Sequence, residues 1–230
     1  KAAKTEAVSK PLVSDLLDPS DFVILVVPID KAAPKGRLIL PQQQTIRDIL
    51  EAGAVSIVVK DNELKNTLEN IGKKPKLVIT DSQAFGKVSK DTPEDILLTS
   101  FSILFAGYKG DIQTFLHGAK AIASLTENST VLIAEACAHA PTTEDIGREK
   151  IPRLLRQRVG QGLSFTFLRG NDFPQDLSPY DLIIHCGACM FNRRHVIHRI
   201  AQANAQGIPI SNYGVVLAYL TGILDQVSHT

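Results

Sequence analysis

The chain has only three thiols, and all lie within 53 residues, as Cys137-Ala-His139 and His185-Cys186-Gly-Ala-Cys189. Thiolates bind zinc, copper(I) and iron-sulfur clusters, and the number and geometry of the other ligands decide among them. Three cysteines fill three positions and leave one for a different donor. Free cysteine is also a frequent core residue, and a Cys-x-x-Cys between a strand and a helix is the pattern of a redox dithiol. The core explanation needs three accidents together. Dithiol chemistry leaves Cys137, His139 and His185 without a role. The pattern therefore points to a soft-metal site, with a structural Cys3His zinc module for protein interaction and a dithiol oxidoreductase as the alternatives.

Each thiol group sits directly behind a short apolar run, Val131 to Ala134 and Leu182 to Ile184, that reads as a β-strand. Both groups would then emerge at the carboxyl ends of strands, where open α/β sheets keep their binding crevices. The flanking sequence supplies such a sheet. Ile112, Phe115, Leu116, Ala119, Ile122 and Ala123 form an amphipathic stripe, and Glu127-Asn-Ser129 turns into the strand before Cys137. A basic helix with Pro152 near its first turn, strands 163–168 and 182–184, a helix 193–206 stopped by Gly207, strand 208–210 and a last helix from about Val215 follow.

The first half alternates in the same way. A polar opening ends in Asp18-Pro-Ser-Asp21 and reads as a linker over residues 1–20. The apolar run Phe22 to Val27 comes next, then a Pro/Gly-rich connection over Ala33 to Pro41. Thr45 is expected to cap a helix that carries Ile46, Ile49 and Leu50 on one face. Strand 55–59, a helix marked by Leu64, Leu68 and Ile71 with Gly72 as its stop, and strand 77–80 complete a βαβαβ pattern, which needs crossovers and hence a parallel sheet. Leu97 to Phe105 is apolar almost throughout and serves as a junction, its secondary structure left open. The expected fold is α/β, with two small domains of mainly parallel sheet flanked by helices, over residues 21–100 and 101–230.

Composition narrows the function. At 44% hydrophobic and 21% charged, 230 residues suffice for one large or two small cores. A net charge of +1 favours neither nucleic acid nor a membrane surface as partner. No apolar segment reaches the roughly 18 residues of a membrane span, no signal peptide opens the chain, and an odd cysteine count does not suit a disulfide framework. A cytoplasmic protein is expected. Lys1 in place of a starting Met leads us to expect a fragment or a processed chain. There is no Gly-x-x-x-x-Gly-Lys-Ser/Thr loop, no Gly-x-Gly-x-x-Gly, no Gly-x-Ser-x-Gly and no Cys-x-x-x-Cys-x-x-Cys of radical SAM enzymes. Nucleotide hydrolysis, dinucleotide binding and α/β-hydrolase chemistry lack their anchors.

Cys137-x-His139, 45 intervening residues, then His185-Cys186-x-x-Cys189 resembles the signature of HydF, the scaffold and carrier family of FeFe-hydrogenase maturation. Ala33-Pro-Lys-Gly-Arg-Leu-Ile-Leu-Pro-Gln42, Thr99-Ser-Phe-Ser-Ile-Leu-Phe-Ala106 and Tyr108-Lys-Gly-Asp111 are also similar to stretches of that family. HydF proteins have a GTPase, a dimerisation domain and an iron-sulfur domain, and this chain resembles the last two. GTP would then concern only the missing domain, and this chain by itself is not expected to be an enzyme.

The resemblance implies a homodimer with residues 21–100 as its dimerisation domain. It also implies a 4Fe-4S cluster on Cys137, Cys186 and Cys189, a diiron precursor received as cargo from radical SAM maturases, and delivery to the apo-hydrogenase. Three thiolates leave one iron with an exchangeable ligand, as a carrier requires. His139, His185 and Glu144 compete for that position. Histidine beside a ligand serves equally well as support, and Thr143-Glu144-Asp145 is also a reasonable helix start. Residues 146–158, which hold Arg148, Lys150, Arg153, Arg156 and Arg158 against Glu149, together with Arg193 and Arg194, would attract an anionic cargo or an acidic partner face. A solvated helix face is the plainer reading of that charge.

Overall fold

The computed structural model describes residues 10–29, 38–136, 145–188 and 191–224. Two four-stranded, wholly parallel sheets organise it. The first is built from β1 (Phe22–Val26), β2 (Val55–Val59), β3 (Leu77–Thr80) and β4 (Leu97–Ser100) in the order β2-β1-β3-β4. The second uses β5 (Thr130–Glu135), β6 (Ser164–Arg169), β7 (Leu182–His185) and β8 (Ile210–Asn212) in the order β6-β5-β7-β8. Central strands of parallel sheets are covered on both faces. Accordingly β3 and β7 are buried along their whole length, while the edge strand β2 is largely not. The expected α/β class with two small parallel sheets is what the chain adopts.

The helices of the first half are α1 (Leu40–Glu51), α2 (Leu64–Asn70), α3 (Phe85–Asp91) and α4 (Phe101–Lys109). Thr45 does not cap α1. The helix starts five residues earlier, with Pro41 in its first turn, where a missing N–H and a preset φ cost nothing. The Gln42 Oε1 accepts the Ile39 N–H at 3.0 Å, and the Thr45 hydroxyl donates back to the Pro41 carbonyl at 2.8 Å. This start buries Gln42, Thr45 and Ile49 and leaves Leu50 exposed. The stretch before Ser20, expected as a linker, packs Leu12 and Val13 against β1, β3 and α4. Asp48 of α1 holds it by accepting the N–H groups of Leu12, Val13 and Ser14 at 3.2, 2.7 and 2.8 Å.

The junction left open in the sequence is a strand that turns straight into a helix. β4 ends at Ser100, whose hydroxyl accepts the Ile103 N–H at 3.3 Å and caps α4. α4 is buried on both sides. Phe101, Leu104 and Phe105 pack on the first sheet, while Ile103 and Ala106 join a core continuous with the second. In the second half α5 (Ile112–Lys120), α6 (Ile151–Val159), α7 (Arg193–Ala205) and α8 (Tyr213–Leu220) flank the sheet, and a π-helical turn, Ile146–Lys150, leads into α6. α4 meets α8, α5 and α7 as well as α1, so the two halves share it. β8 begins two residues later than its apolar pattern suggests, at Ile210, because Ile208 lies before the ladder. Among the described residues no helix is long and apolar enough to cross a membrane.

Candidate metal centre

In the order β6-β5-β7-β8 the chain leaves β5 toward one side for β6 and toward the other for β7. The crevice of such a sheet opens at the carboxyl ends of the two strands between which the order reverses. These are β5 and β7, the two strands that run into the cysteines. Cys186 follows β7 directly. Its Sγ accepts the backbone N–H of Ala136, the residue before Cys137, at 2.9 Å, and its own N–H donates to the Ala134 carbonyl at 2.9 Å. The strand end that leads to the first thiol is therefore tied to the second.

The register puts a row of chemically active residues on this edge. Arg169 pairs with Glu135, and continuing Ala134↔His185 and His185↔Asn212 by one residue sets Glu135, Cys186 and Tyr213 level. Glu135 receives Arg148 Nη2 at 3.0 Å and Arg169 Nε at 2.9 Å. Burial pushes its carboxyl pKa up, but the hydrogen bonds and charges of the two arginines outweigh that and hold it below the usual range. At the other end of the row the Tyr213 hydroxyl is buried with no hydrogen-bond partner. The π-helical turn serves both ends. It supplies Arg148, and its Gly147 seats Tyr213 so closely that an added Cβ would lie 2.0 Å from the phenolic oxygen. Burial, then the nearby Cys186 and Glu135, push the phenol pKa up, so Tyr213 keeps its proton and offers a hydrogen-bond donor.

His185 is 1% exposed, and both of its ring nitrogens are engaged. Nδ1 lies 2.7 Å from the Cys186 carbonyl, and Nε2 lies 2.9 Å from Arg199 Nη1. A guanidinium only donates and a carbonyl only accepts. The ring is consequently neutral, protonated on Nδ1, with its lone pair directed at Arg199. Arg199 is 2% exposed, donates through Nη2 to the Gly170 carbonyl and lies over the Phe173 ring at 4.8 Å. One turn earlier on α7, His195 stacks on Phe191 at 4.5 Å with its Nε2 buried and unpartnered. Burial first, then the charges of Arg199 and its histidine neighbours, push its pKa down.

Cys137, His139, Glu144 and Cys189 lie outside the described residues, among which no group of three or more His, Cys, Asp or Glu side chains assembles. Arg193 and Arg194 are exposed at the start of α7. Arg193 Nη1 donates to the carbonyls of Tyr108 and Gly110 at 2.9 and 2.6 Å and so caps the end of α4, while Lys109 returns a bond to the Phe191 carbonyl at 2.9 Å. From the basic stretch, Arg148 pairs with Glu135, and Arg156 and Arg158 lie over Phe165 and Tyr219. Ala188, inside the Cys-x-x-Cys, has φ +49°, a conformation that costs a non-glycine residue roughly 1–2 kcal/mol. Strain of this kind concentrates at functional sites.

Residues 12–110 match the family model of the hydrogen maturase F dimerization domain, and residues 113–229 match that of its tetramerization domain. The chain belongs to the hydrogen maturase F family. It is thus a member of a family of hydrogenase maturation. Among curated proteins no match was found. In this hydrogen maturase F chain the sequence reading singled out His185 and Cys186 but passed over Glu135, Arg199 and Tyr213. One signal was available. Val196, Ile200 and Ala203 form the buried stripe of α7, and Arg199 falls on that same stripe, where a charge demands a partner.

Proposed function

We propose that the chain is a scaffold and carrier of hydrogenase maturation that holds a 4Fe-4S cluster on Cys137, Cys186 and Cys189. The observation that carries this reading is the 2.9 Å hydrogen bond from the Ala136 N–H to Cys186 Sγ at the switch point of the second sheet. It draws the approach to Cys137 against the thiol that opens the Cys-x-x-Cys. The donor set fits the group, because thiolates are the usual ligands of such clusters and hydrogen bonds to sulfur tune them. When bound, a cluster on three thiolates supplies one iron whose fourth ligand exchanges.

The chain's own residues do the rest. The Ala136 N–H and the neutral His185, fixed by Arg199, orient Cys186. Glu135 clamps the ends of β5 and β6 through Arg169 and Arg148. His185 supports rather than ligates in this arrangement, which leaves His139 and Glu144 as donors for the exchangeable position. The substrate of the site is a diiron precursor, received from radical SAM maturases and handed to an apo-hydrogenase in the cytoplasm. Self-association, implied by the names of both matching domains, is assigned first to the sheet of residues 21–100.

Anaerobic reconstitution of the parent and of the single variants Cys137→Ser, Cys186→Ser and Cys189→Ser tests the ligand set. Iron, sulfide and the EPR signal are expected to collapse in all three variants. A normal signal in any one removes that residue from the set. A colourless zinc protein, or a metal-free protein with a reversible Cys186–Cys189 disulfide, replaces the cluster reading by one of its alternatives. Imidazole or cyanide added to the loaded parent is expected to change the EPR spectrum, and Glu144→Ala or His139→Ala to alter it with most iron retained. An unchanged spectrum throughout closes the fourth site.

A further inference from the structure

We infer that Arg199 is the fixed counter-charge of the metal–thiolate centre, a positioning residue that acts through His185 and sets the reduction potential of the group Cys186 holds. The inference rests on the metal-site reading above. Arg199 is 2% exposed, and among the described residues no carboxylate pairs with it. Its contacts are neutral ones: the lone pair of His185, the Gly170 carbonyl and the face of Phe173. Its Nε is buried without a partner.

A guanidinium stays protonated in proteins, and burying a charge without a counter-ion is strongly unfavourable. A fold that keeps such a group has an anion for it. Among the described residues the one opposing charge that acts on Arg199 is that of Cys186, the residue next to the histidine whose imidazole Arg199 grips. A thiolate-bound metal centre is the anion this place implies, and its charge becomes more negative on reduction. A buried cation at fixed distance stabilises the reduced form and raises the potential. Arg199 would do so at second hand, since its link to Cys186 runs through the ring of His185. The same imidazole, held with its proton on Nδ1 toward the Cys186 carbonyl, fixes the backbone at the ligand.

The test compares Arg199→Met, Arg199→Gln and Arg199→Lys in the full chain, first without metal and then after anaerobic reconstitution. Without metal, the two neutral variants are expected to fold and to unfold at the parent's denaturant midpoint or above it, because an unpaired buried charge has gone. After reconstitution their reduction potential is expected to fall below the parent's, with iron retained, and Arg199→Lys to restore it most of the way. A neutral variant that keeps the parent's potential at full iron content overturns the inference. So do neutral variants that fail to fold without metal, since Arg199 is then a structural strut. If the parent takes up zinc in place of a cluster, the cluster reading fails separately. The counter-charge role is then read as a 10- to 100-fold loss of zinc affinity, as is typical of removing a group that supports a ligand, in the neutral variants but not in Arg199→Lys, and equal affinities overturn it.

Discussion

Two residues flanking Cys186 in the row along the second sheet differ in how well they are satisfied. Tyr213 carries a buried hydroxyl without a partner, a destabilising feature in the metal-free protein. Tyr213→Phe removes only that group, and the expected result is a gain of about 1 kcal/mol, read as a raised denaturant midpoint at unchanged slope. A loss of stability means that the hydroxyl has a partner the contacts do not show. Glu135 is the opposite case, since both of its arginines donate to it. Their side chains are 37% and 45% exposed, so solvent screens the pairs. Glu135→Gln is expected to cost about 1–2 kcal/mol, within the range for hydrogen bonds to charged groups and discounted for that exposure. A midpoint unchanged from the parent shows that the arginines are equally well held by water. The cysteine pattern was legible in the sequence because spacing alone marks it. The residues that tune the site were not, because Tyr213 and Glu135 reach Cys186 only through strand register, which a single sequence does not display.

Among the elements, the strands were the most readable, since unbroken runs of β-branched and apolar residues are what a two-sided parallel sheet requires. Helix starts were less so. Thr45 looks like a cap, yet Pro41 and the back-bonding Gln42 begin α1 earlier. α3 escaped notice because its seven residues bury only Phe85 and Val88, too few to show a period. α4 was obscured by the opposite cause: a helix apolar on both sides has no stripe to read. Close helix–sheet packing is equally invisible in sequence. At Gly118 of α5 an added Cβ would lie 2.0 Å from the Ile210 carbonyl oxygen, a backbone atom of β8 that cannot step aside. Gly118→Ala is therefore expected to destabilise by about 1–3 kcal/mol through overpacking. Thermal unfolding of the purified variant measures it, and a melting temperature equal to the parent's rules out so close an approach of α5 to β8.

For the whole molecule the question is which surface carries self-association, and the distribution of exposed apolar side chains singles out a surface to test. Among the described residues, Ile29, Ile39, Leu40, Leu50, Val55, Val58 and Leu97 are the large apolar side chains that stand exposed, and all belong to the half that matches the dimerization domain. β2 is an edge strand of the first sheet, with Val55 39% and Val58 44% exposed. An uncovered edge offers unpaired backbone donors and acceptors to a second chain, and natural proteins that avoid this place charge there. β2, with the sequence Val-Ser-Ile-Val-Val, carries none. A twofold axis beside it would pair the two β2 strands antiparallel and extend the sheet across both protomers. Val55→Lys combined with Val58→Lys puts like charges on both sides of that axis while leaving the buried faces of β1 and β3 untouched. The expected outcome is a mass by light scattering half that of the parent, with circular dichroism unchanged. Any contact that remains is expected in the half that matches the tetramerization domain. If the double variant keeps the parent's mass, the interface is not at β2, and the second sheet edge, where Leu97 of β4 is exposed, is the next to be charged.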